Sequence, residues 1–175
     1  MRTFIAWLPL LLAACAGTSA GPPATAEAGA TLARYHWQLQ QATDASGTRI
    51  TELFARPDRP LQLDFADGRI SISHACNRIG GPYTLVSGRL HAPDLASTRM
   101  ACADPAIAAL DDAIARRIDD TMTGLEEQDA QPVLTLVTRS GDVLRFVGEP
   151  TAAGHDGATD EVFLEGAAEP GSPLR

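Results

Sequence analysis

Residues 61–74 read LQLDFADGRISISH, and their alternation decides the fold. Leu61, Leu63 and Phe65 alternate with Gln62 and Asp64, and Ile70 and Ile72 alternate with Ser71 and Ser73. Side chains along a strand point to opposite faces with period two, so each run presents one apolar face. Ala66-Asp67-Gly68 supplies the turn between them. The stretch is a predicted antiparallel hairpin with one face on a core.

The same signals recur on either side. Tyr83 to Val86 and Arg89 to Ala92 flank Ser87-Gly88, a second hairpin. Val133 to Val137 and Val143 to Val147 flank Arg139-Ser140-Gly141-Asp142, a third. Tyr35 to Leu39, YHWQL, is an expected first strand with Trp37 and Leu39 on one side. One helix interrupts the strands: Asp104 is a good N-cap, and Pro105 fits the first helical position, where its missing N–H is no loss. Ile107, Leu110, Ile114 and Ile118 then recur at three and four residues, while Asp111, Asp112, Arg116 and Arg117 lie off that stripe. Mostly antiparallel strands with one packed amphipathic helix make an α+β architecture.

Outside this domain, expected at residues 32–148, the composition changes. Residues 1–14, MRTFIAWLPLLLAA, have a positive start at Arg2 and an apolar run too short to span a membrane, the pattern of a secretory signal peptide. Leu12-Ala13-Ala14-Cys15 resembles the lipobox of bacterial lipoproteins, which implies cleavage before Cys15 and lipidation of its thiol. Ala16 rather than aspartate after that cysteine points to the outer membrane, facing the periplasm. Two or three acyl chains such as palmitate hold stably where one would exchange, since each buried methylene contributes about 0.8 kcal/mol. From Cys15 to Thr31 the chain is rich in small residues, Gly and Pro, and reads as a flexible tether. Residues 149–175 read as a polar tail in which EVFLEG, 161–166, is a candidate extra strand.

All fourteen basic residues are arginines, and the formal charge is −8. Removal of Arg2 with the leader takes it to −9. So acidic a chain is poorly suited to a polyanion, which argues against nucleic acid and against anionic headgroups in bulk as partners.

With Cys15 assigned to lipid, Cys76 and Cys102 remain as a pair in an oxidising compartment. The first expectation is a disulfide. The competing reading is a metal site of His74, Cys76 and Cys102, with His91. His74 and Cys76 would share a strand face, yet the spacing matches no closed zinc pattern. No CxxC motif supports a redox thiol. Ser97, His91 and Asp94 are hydrolase residue types without a GxSxG elbow, and read as strand-end and loop polar groups. No catalytic residue and no cofactor is assigned.

The run from Ile72 to Cys102, ISHACNRIGGPYTLVSGRLHAPDLASTRMAC, resembles the META domain of HslJ-like lipoproteins. Trp37 and Leu39, then Cys76-Asn77-Arg78 with Gly81 and Tyr83, then Ser97-Thr98 with Met100 and Cys102 carry the likeness, which spans Tyr35 to Val147. Ala75 stands where glycine is usual, and Asp111 and Asp112 where a glutamate and an aromatic are more typical. The resemblance implies a curved, mostly antiparallel sheet, open or cracked-barrel-like, with one helix. It also implies an envelope protein without enzymatic activity, linked to envelope stress and secretion. Physically, Asn77 suits strand-end backbone groups, Gly80 and Gly81 permit positive φ or close backbone approach, and Pro82 stops a ladder, so these residues are expected to build a corner. A corner has no evident need for a guanidinium, so Arg78 is expected to form a surface ion pair with Asp94 or Asp104, with ligand binding as the alternative.

Two function classes follow: a lipoprotein that binds or supports another envelope component, such as a protein partner, through the curved sheet, and a carrier or sensor of a small apolar ligand held between sheet and helix. Few aromatic residues are present to line a pocket, which favours a filled core. A hydrolase or metalloenzyme would need a polar cleft with two titratable groups in mutual reach.

Overall fold

The computed structural model describes residues 24–152. The leader, Cys15 and the segment EVFLEG lie outside them. In chain order the elements are α1 (Ala24–Ala33), β1 (Tyr35–Thr43), β2 (Gln62–Ala66), β3 (Arg69–Ser73), β4 (Ile79–Pro82), β5 (Thr84–Val86), β6 (Arg89–His91), β7 (Ala96–Ser97), α2 (Pro105–Ile118), β8 (Thr121–Gln128), β9 (Gln131–Val137) and β10 (Val143–Pro150). The strands form one antiparallel sheet in the order β5-β6-β8-β9-β10-β1-β2-β3-β4-β7. The sheet curls into a half-barrel with the helices against it, the expected α+β fold.

The curl has a local cause. β4 pairs with β3, and β5, only one residue further on, pairs with β6 at the other end of the strand order. The chain itself, through Tyr83, therefore links the edge strand β5 to β4, the last strand but one at the opposite side of the sheet. Pro82 is the last residue of β4, and Tyr83 N–H donates to Gly68 O at 2.9 Å.

The hairpin of residues 61–74 forms as β2 and β3, with Leu63 opposite Ile72 and Phe65 opposite Ile70. Asp67 and Gly68 both take positive φ, 49° and 71°, as a two-residue turn between twisted strands requires. Leu63, Phe65, Ile70 and Ile72 join Trp37, Leu134, Leu136, Leu144 and Phe146 in one core. β1 extends four residues past the expected Leu39, and a register shift between Leu39 and Gln41 lets Ala42 turn inward after Trp37 and Leu39.

α2 starts as expected, with the Asp104 carboxylate accepting from Ala106 N at 2.8 Å and Pro105 in the first turn. Leu110, Ala113, Ile114 and Ile118 are buried, so the space between α2 and the sheet is filled with side chains.

Three expectations are corrected. The supposed tether enters a helix that runs from Ala24 to Ala33: it holds five alanines where only looseness was expected, and Leu32 near its end is fully buried. Trp37 Nε1 donates to Leu32 O at 2.9 Å, fastening this helix to β1. Residues 79–82 are a strand and not a corner. The corner lies one step earlier, where His74 takes φ 68° and its Nδ1–H donates to Pro60 O at 2.8 Å. Gly80 and Gly81 are needed for close approach alone: a Cβ would stand 2.8 Å from Ile70 O at Gly80 and 2.4 Å from Asp94 O at Gly81. Lastly, β8 was not foreseen. Its turn into β9, Asp129-Ala130, takes positive φ at both residues without the glycine that normally marks such a turn.

Candidate functional site

The motif residues converge where the corner after β3 meets the segment before α2. Cys76 and Cys102 are joined by a disulfide across a Cα–Cα distance of 6.0 Å. Beside it Asn77 acts as a clamp. Its Oδ1 accepts from Met100 N–H at 2.7 Å and from the Thr98 hydroxyl at 2.8 Å. Its Nδ2 donates to Asp111 Oδ2 at 2.7 Å and to Met100 O at 3.3 Å. Asp111 also accepts from the Asn77 backbone N–H at 3.0 Å, so α2 holds the corner through a carboxylate. Thr98 completes the link: its hydroxyl accepts from Arg78 N–H at 3.1 Å, and its own N–H donates to Arg78 O at 3.1 Å. Ser97 lies on β7 opposite Ile79 and donates to Thr98 O.

The loop so fixed presents Met100, which is 63% exposed, and the exposed Arg78. The expected pairing of Arg78 with Asp94 or Asp104 is not formed. Asp104 caps α2 instead, and among the described residues Arg78 has no ion pair. The other motif residues are structural. Trp37 is fully buried, Gly81 admits the Asp94 carbonyl, and Tyr83 packs edge-on against Phe65 at 5.1 Å, where burial raises its phenol pKa.

The metal reading is not supported by this geometry, because Cys76 and Cys102 bind each other and His74 is held by Pro60. Nor are Ser97, His91 and Asp94 brought together as a triad. His91 lies 3.7 Å from Asp120, a carboxylate at the α2–β8 turn that also meets Arg89 at 3.3 Å and Arg139. The hydrogen bond from Arg139, with the charges of Arg139, Arg89 and His91, holds the Asp120 carboxyl below its ordinary range against the opposing effect of burial.

One pair in mutual reach was not foreseen: His36 Nδ1 and Asp64 Oδ1, 2.5 Å apart on the outer face of β1 and β2. Period-two alternation places both outward, but only the β1–β2 register shows them adjacent. Gln62 Nε2 donates to Asp64 at 3.0 Å. Among the described residues no hydroxyl or thiol hydrogen-bonds to His36, whose ring nitrogen meets Asp64 and Gln62.

A family model for the META domain matches residues 30–151. The chain belongs to the META domain family. A solution NMR structure of a protein from Burkholderia xenovorans is similar to this META domain, with 26% sequence identity and a TM-score of 0.58 over 81% of this chain and 99% of that one. A second NMR structure is 28% identical over 67% of this chain and 92% of that one, with a TM-score of 0.48. No curated protein matches.

Proposed function

We propose that the chain is a non-enzymatic envelope lipoprotein, anchored in the outer membrane through Cys15 and facing the periplasm. There its META domain binds or supports another envelope component, a protein partner, in stress response or secretion. The observation that carries this reading is the clamped loop. An apolar side chain is 63% exposed on a segment held by a disulfide, an asparagine and a helix carboxylate. Met100 adds little to the core, so such rigid presentation serves recognition: pre-organised contacts lose less entropy on binding. Methionine beside an arginine is also enriched at interfaces. The disulfide fits an oxidising compartment, as the lipobox-like sequence requires.

Two experiments test the reading. Cys15→Ser should move the protein from the membrane to the soluble periplasmic fraction; unchanged sedimentation refutes the lipid anchor. A photo-crosslinking residue at Met100, in cells, should give one discrete adduct that Arg78→Glu abolishes and that the same probe at Val86, also exposed, does not give. Identical adducts from both positions, or none from Met100, refute the contact surface.

A further inference from the structure

A groove of about 630 Å³ runs beside this loop, between the outer face of β2 and β3, residues 56–60, and the corner at His74 to Arg78. Its volume is in the range of sites that hold small molecules. Arg56, Arg59 and Arg78 line it from three separate places in the chain. Arg56 is half-buried and its Nη1 donates to Ala75 O at 3.4 Å, which sets its guanidinium across the groove. Arg59 and Arg78 are exposed, and among the described residues none of the three makes an ion pair. Ser71 and Ser73 lie on the groove wall, and their hydroxyls make no hydrogen bond to another described residue.

This arrangement departs from the charge of the chain as a whole. With 22 acidic residues against 14 arginines, carboxylate partners are abundant, and five other arginines take them. Here three guanidiniums meet one carboxylate, Asp64, which is already engaged by His36 and Gln62. The neighbouring Asp111 is taken up by the N–H groups of Asn77. All three guanidiniums are thus left without a carboxylate partner among the described residues, beside two hydroxyl donors. A carboxylate would neutralise one of them, whereas a phosphoryl group carries roughly 1.5 to 2 negative charges near neutral pH and matches guanidinium geometry in two-point hydrogen bonds.

We propose that this groove binds a dianionic phosphoryl group, with Arg56, Arg59 and Arg78 as its ligands. The site is local, so it is compatible with an acidic chain that repels polyanions in bulk.

The test uses the full chain, isotope-labelled and held in neutral detergent, with the arginine Nε–H signals followed by NMR. Inorganic phosphate should shift the signals of these three arginines saturably, and acetate at matched ionic strength should not. Arg59→Gln combined with Arg78→Gln should weaken phosphate binding at least about tenfold, which corresponds to about 1.4 kcal/mol, with thermal stability unchanged because both side chains are exposed and unpaired. Co-sedimentation with phosphatidylcholine vesicles, with and without phosphatidic acid, separates the sources of the group. Binding that needs phosphatidic acid and is lost in the double variant, without a response to free phosphate, assigns the phosphoryl group to a lipid headgroup. Unsaturable shifts equal for phosphate and acetate, with no gain from phosphatidic acid, overturn the proposal. So does a double variant that binds like the wild type.

Discussion

Replacing both Cys76 and Cys102 with serine removes the covalent link while leaving the clamp around Asn77 in place. The bridged residues are 26 apart in sequence. On the chain-entropy model, closing a loop of that length lowers the entropy of the unfolded chain by about 12 cal/mol/K, or about 3.5 kcal/mol at 25 °C. Because the effect resides in the unfolded state, the folded variant should keep its core. Its NMR spectrum should change only near residues 74–78 and 98–104. Urea unfolding followed by Trp37 fluorescence is the assay. With a slope of about 1.5 kcal/mol/M, the midpoint should fall by roughly 2 M, and the slope should rise slightly as the unlinked chain exposes more surface. A loss below about 1 kcal/mol would refute the assignment of the bridge as the main constraint on this segment.

Three further outcomes follow from the same geometry. Asn77→Ala removes five side-chain hydrogen bonds, one to the Asp111 carboxylate and one to the Cys76 sulfur; it should cost about 2–3 kcal/mol in the same urea assay, and a loss under about 0.5 kcal/mol would contradict the clamp. Gly81→Ala drives a Cβ to 2.4 Å from Asp94 O and should destabilise by about 1–3 kcal/mol, whereas Gly124→Ala, with its nearest neighbour at 3.8 Å, should be tolerated. Asp120 has a lowered folded-state pKa, so its contribution is present above the unfolded value of about 3.9 and is lost as pH falls through the folded one. The stability difference between wild type and Asp120→Asn should therefore shrink on acidification below about pH 4; a difference constant from neutral to acid pH would show that the charge of Asp120 is not what stabilises the turn.

The hairpins were legible because alternation and a turn dipeptide coincide in them. Leu61 to Ser73 needs no tertiary information to be read. α2 was equally plain, since Asp104 and Pro105 mark its start and the buried face repeats at three and four residues. The elements that escaped notice lack one of these signals. β8 contains Gly124 and two consecutive glutamates, and turns through Asp129-Ala130. α1 is short and alanine-rich, and it is held by one buried leucine and one indole hydrogen bond from the next strand. At the site, the cysteine pair was readable by parity and compartment. The roles of Asp111 and Asp64 were not, because each depends on which strand or helix comes to lie alongside. Asp111 was visible as an off-stripe helix residue and as a departure from the family pattern, yet it anchors the corner. Arg78 stood out as a guanidinium without a structural reason, and the fold leaves it exposed in a groove with two others.

The central claim is that the loop presenting Met100 is rigid although it is exposed. Amide hydrogen exchange at Met100 tests it most directly, because its N–H donates to Asn77 Oδ1 at 2.7 Å. The account predicts exchange at least about tenfold slower than at the exposed neighbours Arg99 and Ala101, with the protection lost in Asn77→Ala, since protection reports local opening. Exchange at Met100 as fast as at Arg99 in the wild-type protein would contradict it.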